Sequence, residues 1–269
     1  MAAPRQPVLF ISHGGGPWPY VDELRQMYVQ TESALRRLPE RLSVRPKAVF
    51  VISGHWVAQK FSVATNAHPP MEYDYFGFPP HTYHIRYTAP GDPDLAVRAR
   101  DLLARAGIDS SADPDRGFDH GVFVPLGLMY PNAEMPIVMV SVKSGYDPAA
   151  HLALGRALAP LRDEGVLLIG SGLTYHNMRG FGLDRSTQVA ELFTHYLDDA
   201  IAQQDVHVRD ERLLQWEHAP AARQAHPHED HLMPLLVAAG AAGSSHGSVL
   251  FNESVMKIPM TSYVFGDLD

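Results

Sequence analysis

Residues 48–56 read AVFVISGHW. The run AVFVIS shows no polar alternation, the pattern of a strand covered on both faces. It breaks at Gly54 and hands over to His55 and Trp56. Three more runs share this character: VLFIS (Val8–Ser12), IVMVSV (Ile137–Val142) and VLLIG (Val166–Gly170). Helical patterns fit between them, over residues 21–38, 93–106, 149–162, 187–203 and 231–239. Pro93 and Asp94 suit a first helical turn. Strands alternating with helices predict an α/β fold. We expect a single domain over residues 1–269, with a mostly parallel central sheet and helices on both faces. Residues 67–93 form a stretch rich in Pro, Tyr and His with weak periodicity, and its aromatic rings favour an ordered loop over a linker.

Composition narrows the function. The chain has 269 residues, a formal charge of −8, no cysteine and 15 histidines. An acidic balance offers no field for nucleic acid or an anionic membrane. Without cysteine there are no disulfides, no thiolate catalysis, no iron–sulfur cluster and no thiolate-held zinc. A transition metal here would be held by nitrogen and oxygen. No apolar run reaches the roughly 18 residues that span a bilayer. The apolar stretch at the N-terminus is too short for a secretory signal, and the default expectation is cytoplasmic.

The histidine excess has a pattern. His13 follows VLFIS, His55 follows AVFVISG, and His176 lies just beyond VLLIGSG. Open α/β sheets bind ligands at the carboxyl ends of their strands, so three strands would deliver three imidazoles to one edge. The adjacent glycines 14, 54 and 172 permit sharp turns and close approach. A fourth cluster, HPHEDHLMPL (residues 226–235), offers His226, His228, Glu229, Asp230 and His231. It is not HExxH. His231 is expected to open the helix that follows, and Glu229 and Asp230 also fit a solvated helix start.

The motifs ISHGGGP, SGHW, FDHGVFVPLGLMYP, SGLTYHN and HPHEDHLMPL, taken in this order, resemble class III extradiol ring-cleavage dioxygenases. YDYFGFPPHTYHIRYTAPGDP and the late SYVFG are similar to the 4,5-DOPA dioxygenase branch. The resemblance implies a mononuclear non-haem metal held by His13, His55 and His231. It implies that His176 is an acid–base residue or a fourth metal ligand, and that His120 lies beside the substrate in a catalytic role. Protocatechuate-type relatives use two histidines and a glutamate. This branch replaces that carboxylate with histidine, although Glu229 or Asp230 remains a candidate ligand.

Ring cleavage needs a metal that binds a catechol and O2 together. Imidazole with open positions suits Fe(II), the ion expected for activity, and it equally suits Zn(II), which lacks redox chemistry. Histidine gives and takes protons near neutrality, the role expected of His176 and His120. Candidate substrate contacts are Trp56 as a wall, Arg179 as a carboxylate partner and, by resemblance, Tyr75, Tyr83 and Tyr263. The expected product is a muconic semialdehyde. Two rival readings stand: a zinc hydrolase using the same histidines to activate water, and a metal-storage protein with an exposed site.

Overall fold

A computed structural model describes residues 5–268. The first half of the chain forms β1 (Val8–Ser12), α1 (Asp22–Arg25), α2 (Val29–Arg37), β2 (Ala48–Ala58), β3 (Phe61–Ala64), α3 (Pro93–Arg105), β4 (Ser110–Asp113) and α4 (His120–Met129). The second half forms β5 (Ile137–Lys143), α5 (Pro148–Leu158), β6 (Val166–Gly172), α6 (Asp184–Ile201), α7 (Val206–Leu214), α8 (Ala222–Ala225), α9 (Met233–Ala242), β7 (Gly247–Val255) and β8 (Ile258–Phe265).

These strands make one eight-stranded sheet in the order β4-β3-β5-β2-β6-β1-β8-β7. The four central strands, β5, β2, β6 and β1, are parallel neighbours. They are the four apolar runs read from the sequence, buried along almost their whole length. The flanks reverse direction: β8 is antiparallel to β1, β7 to β8, and β3 to β5. The expected single-domain α/β architecture is present, and among the described residues no helix is long and apolar enough to cross a membrane.

Helices cover both faces, and β6 shows how the sequence permits this. Successive strand residues face opposite sides. A Cβ on Gly170 would lie 2.3 Å from Pro234 O, and one on Gly172 would lie 2.1 Å from His231 O. On that face the α9 segment therefore sits directly on the strand backbone. Between them Ser171 points the other way and donates to Gly121 O at the start of α4. The two helices that carry the C-terminal and central histidine motifs thus grip β6 from opposite sides.

Several elements depart from the expectation. The helix predicted over 21–38 is interrupted between α1 and α2. β2 does not stop at Ser53 but continues to Ala58 through a register shift between Ser53 and Val57. A bulge bends a strand and re-aims its side chains, and His55 and Trp56 lie within this one. α4 carries no helical signal in the sequence, because it is buried on nearly every side and holds Pro125 in its interior, leaving no amphipathic period to detect. The C-terminal hairpin β7–β8 likewise carries no signal in the sequence. Its two-residue turn is Met256–Lys257, both at positive φ (47° and 70°), where Asn-Gly or Asp-Gly would be the usual signal.

Candidate metal centre

Three strand ends and one pre-helical turn bring the histidines together. His13 follows β1, and its N–H bonds Gly172 O at 3.2 Å. His55 sits in the β2 bulge. His231 lies two residues before α9, in the turn ahead of the helix rather than inside it as expected. Its carbonyl accepts from Leu173 N at 3.0 Å, directly beyond β6. His176 follows β6 and is tied by its N–H to Ala225 O at 2.9 Å.

The ring nitrogens converge. His55 Nε2 is 3.0 Å from His13 Nε2 and 3.1 Å from His231 Nε2. The groups on the Nδ1 side favour the tautomer with the proton there. The Ser171 hydroxyl donates its single hydrogen to Gly121 O, so at 2.9 Å it accepts from His13 Nδ1–H. His55 Nδ1 faces the Asp74 carboxylate at 3.1 Å. His231 Nδ1 lies 3.2 Å from Asp230 Oδ2, at ion-pair range but without the alignment of a hydrogen bond. With protons on Nδ1, all three Nε2 atoms turn lone pairs toward one another.

Burial keeps these rings neutral. It holds His13 and His55 well below the ordinary histidine range, aided by the neighbouring imidazoles. It lowers His231 to about 4 despite the nearby Asp230. Neutral nitrogens with lone pairs face to face at 3.0 Å repel unless a cation lies between them. Two nitrogens each about 2.1 Å from one ion and at right angles to each other stand about 3.0 Å apart. The donor set therefore fits a single transition-metal ion.

Two further imidazoles flank this set. The His120 ring lies 4.0 Å from that of His55 and 5.3 Å from that of His13, between centroids. The His176 ring stacks on His231 at 3.5 Å. Each is oriented by a carboxylate. Asp74 accepts from His120 Nδ1 and lies 3.1 Å from His55 Nδ1, at ion-pair range. Asp230 takes His176 Nδ1 at 3.1 Å and the His231 N–H at 2.9 Å. Burial alone would raise both acids. The bonds from His120 hold Asp74 below its usual value, and those from His176 and His231 hold Asp230 far lower. By distance alone the donors divide into His13, His55 and His120 on one side, and His176, Asp230 and His231 on the other. The Nε2 contacts cross that division through His55.

The other expected contacts are distributed as follows. Tyr263 is fully buried on β8, and its hydroxyl donates to Asp198 of α6 at 2.7 Å. Its ring and hydroxyl are thus engaged within the core. Trp56 is 6% exposed and lies under the Arg116 guanidinium at 5.1 Å. Arg116 in turn holds Glu72 and Asp119, so Trp56 supports this network. Tyr73 and Tyr75 spend their hydroxyls within the aromatic loop, on Ile85 O and Thr82 O, and the Tyr83 hydroxyl faces Phe78 N. The Tyr75 ring still reaches within 6.0 Å of His120. Arg179 is exposed. Glu229 is engaged by Arg223, and His228 is exposed. His68, His81 and His84 are exposed on the loop.

His226 is buried, and its Nε2–H donates to Thr174 O at 3.0 Å. Burial lowers it to about 3. The unfolded chain then binds the proton that the fold excludes, so stability is present above the unfolded value near 6.5 and is lost as pH falls from there toward 3. We expect about 2 kcal/mol of that loss by pH 5. Urea midpoints of the metal-free protein at pH 7 and pH 5 should differ less for His226→Gln than for wild type. Equal differences would contradict this assignment.

Sequence reasoning passed over Asp74, Ser53 and Ser171. The one visible signal was an acid set in an uncharged aromatic stretch, YDYFGF, and two serines at the ends of apolar strands.

Comparison with known proteins fits this geometry. A family model described as the catalytic LigB subunit of aromatic ring-opening dioxygenase matches residues 7–266. "4,5-DOPA dioxygenase extradiol" of Beta vulgaris is 41% identical over 91% of this chain and 90% of its own. The protein of the same name from Escherichia coli K12 is 34% identical over 90% and 87%. "Dioxygenase tasH" of Hapsidospora irregularis is 35% identical over 98% and 86%. The crystal structure of an uncharacterized E. coli K12 protein superposes with a TM-score of 0.79 at 30% identity, covering 97% of this chain and all of that one. None of these matches supports the zinc-hydrolase alternative. The chain belongs to the LigB family of aromatic ring-opening dioxygenases and is an extradiol dioxygenase, an oxidoreductase acting on a small molecule with O2.

Proposed function

We infer that the substrate is a DOPA-like catecholic acid, opened to a muconic semialdehyde at one ion held by Nε2 of His13, His55 and His231. The observation that carries this reading is the convergence of the three Nε2 atoms, with that of His55 3.0 Å from that of His13 and 3.1 Å from that of His231, while Nδ1 of His13 is bonded to Ser171 and Nδ1 of His55 faces Asp74. Fe(II) is the ion expected for activity, supplying the electron exchange between catechol and O2. Zn(II) fits the same nitrogens without that chemistry. The substrate assignment draws on the relatives named 4,5-DOPA dioxygenase.

The chain's own groups handle the protons. His176 turns Nδ1–H to Asp230, which leaves Nε2 free to accept a catechol proton. The resulting imidazolium is stabilised by the Asp230 carboxylate, and the proton can be returned to an oxygen of the opening ring. His120, with Nδ1 on Asp74, presents Nε2 from the opposite side and assists that return. Arg179, exposed on the turn after His176, is the carboxylate partner in this reading. Asp230 Oδ1 is committed to the His176 ring and the His231 backbone N–H, which favours histidine over carboxylate as the third ligand.

The test is oxygen uptake by anaerobically Fe(II)-loaded protein on a panel of catechols with and without a carboxylate. One O2 consumed per ring, with a yellow product and preference for the acids, is expected. Binding of several catechols without consumption of any would overturn the reading. His176→Ala should keep its metal and lose turnover by about 10²–10⁴-fold. Loss of the metal instead would make His176 a ligand.

A further inference from the structure

The geometry points to Asp74 as a positioning residue that sets the tautomer of two histidines at once, the ligand His55 and the proton-handling His120. The inference rests on the site reading above. Asp74 lies on no regular element; it is part of the long aromatic loop between β3 and α3. Its carboxylate nevertheless reaches both rings. Oδ2 is 3.1 Å from His55 Nδ1, both oxygens are 2.9 Å from His120 Nδ1, and Oδ1 also accepts the His120 backbone N–H at 3.0 Å.

The loop is fixed where this happens. Phe118 N–H bonds Pro70 O at 2.8 Å, and Glu72 N–H bonds Phe118 O at 2.9 Å. Glu72 takes the Gly117 N–H at 2.7 Å and the Arg116 guanidinium. Arg116 also binds Asp119, which accepts from Ser53 in β2 at 2.8 Å. Residues 70–74 are thereby laced to 116–120. Asp74 is delivered to the two imidazoles by this lacing, with its side chain only 20% exposed.

A carboxylate accepts and never donates when ionised, so any imidazole nitrogen facing it carries a proton. Both rings must then show their lone pair on Nε2, the atom His55 turns toward His13 and His231. An amide in this position cannot satisfy both rings in the same way. Its oxygen can accept from one Nδ1–H, but its NH2 needs a lone pair from the other. Outer partners of metal-binding histidines are worth about 10–100-fold in metal affinity.

Side-chain ¹⁵N spectra of histidine-labelled, Zn(II)-loaded protein test this without turnover, with His55 and His120 assigned from their alanine variants. Wild type is expected to carry Nδ1–H on both rings. Asp74→Asn is expected to move the proton to Nε2 on at least one of them, and to weaken Zn(II) in competition with a chromophoric chelator by 10–100-fold. Glu253→Gln serves as the control, because Glu253 caps Gln30 and Thr31, outside this site; it should change neither quantity. Wild-type rings protonated on Nε2, or an Asp74→Asn protein with both Nδ1 protons and wild-type affinity, would overturn the inference. The wild-type spectrum decides even if the variant folds poorly. The failure of the site reading is separately visible: His13→Ala and His231→Ala would then retain Zn(II) at wild-type affinity.

Discussion

His55→Ala is expected to lose metal and turnover together, with turnover down by at least about 10³-fold. His55 is the member of the set whose Nε2 contacts both other nitrogens, at 3.0 and 3.1 Å. It also links the two halves into which the donors otherwise divide. Its removal leaves His13 and His231, whose ring centroids are 5.3 Å apart, with a third of the donor set gone. It also strips Asp74 of one of its two imidazoles. Metal analysis after gel filtration, paired with oxygen uptake, checks both losses. A variant that keeps one equivalent of metal and near wild-type turnover would remove His55 from the ligand set.

The second large effect concerns the support of the site. α9 carries His231 at its approach, and its far end is closed by two buried arginines. Arg162 donates to Ala241 O and Ala242 O at 2.9 and 2.8 Å, to Gln6 O at 2.8 Å and to Ser245 Oγ at 3.1 Å. Arg209 takes Ala239 O and Gly243 O at 3.0 and 2.9 Å. The last carbonyls of a helix have no partner within it, and cations are favoured there. Burial pulls Arg162 down to about 10, still charged at neutrality. Arg162→Ala leaves several buried carbonyls unpaired and a cavity beside them. We expect a cost of roughly 3–5 kcal/mol and a fall in Tm of roughly 10 °C. Arg5→Ala breaks only an exposed pair with Asp163 and should shift Tm little. Calorimetry that finds the two variants equally stable would contradict the role given to Arg162.

The central sheet was legible because its strands are covered on both faces and read as unbroken apolar runs. β1 begins and ends where VLFIS does. The flanks were not legible. β3 and β4 are four residues each, and the β7–β8 turn uses Met256 and Lys257 where turn residues would announce a hairpin. In the site, His13, His55 and His231 could be read from their neighbours because each stands beside a strand end or an apolar helix. Asp74 could not, since it meets His120 across 46 residues of sequence and through a loop with no period. His226 misled for the opposite reason. It belongs to the histidine-rich motif, yet its ring is turned into the core toward Thr174.

The most direct test of the account is anomalous diffraction from crystals loaded with Fe(II) under anaerobic conditions. It predicts one metal peak per chain, bounded by Nε2 of His13, His55 and His231, with Asp74 and Asp230 still on the Nδ1 side of their imidazoles. A peak coordinated by His120 or an Asp230 oxygen in place of His231, or two separate peaks, would contradict it.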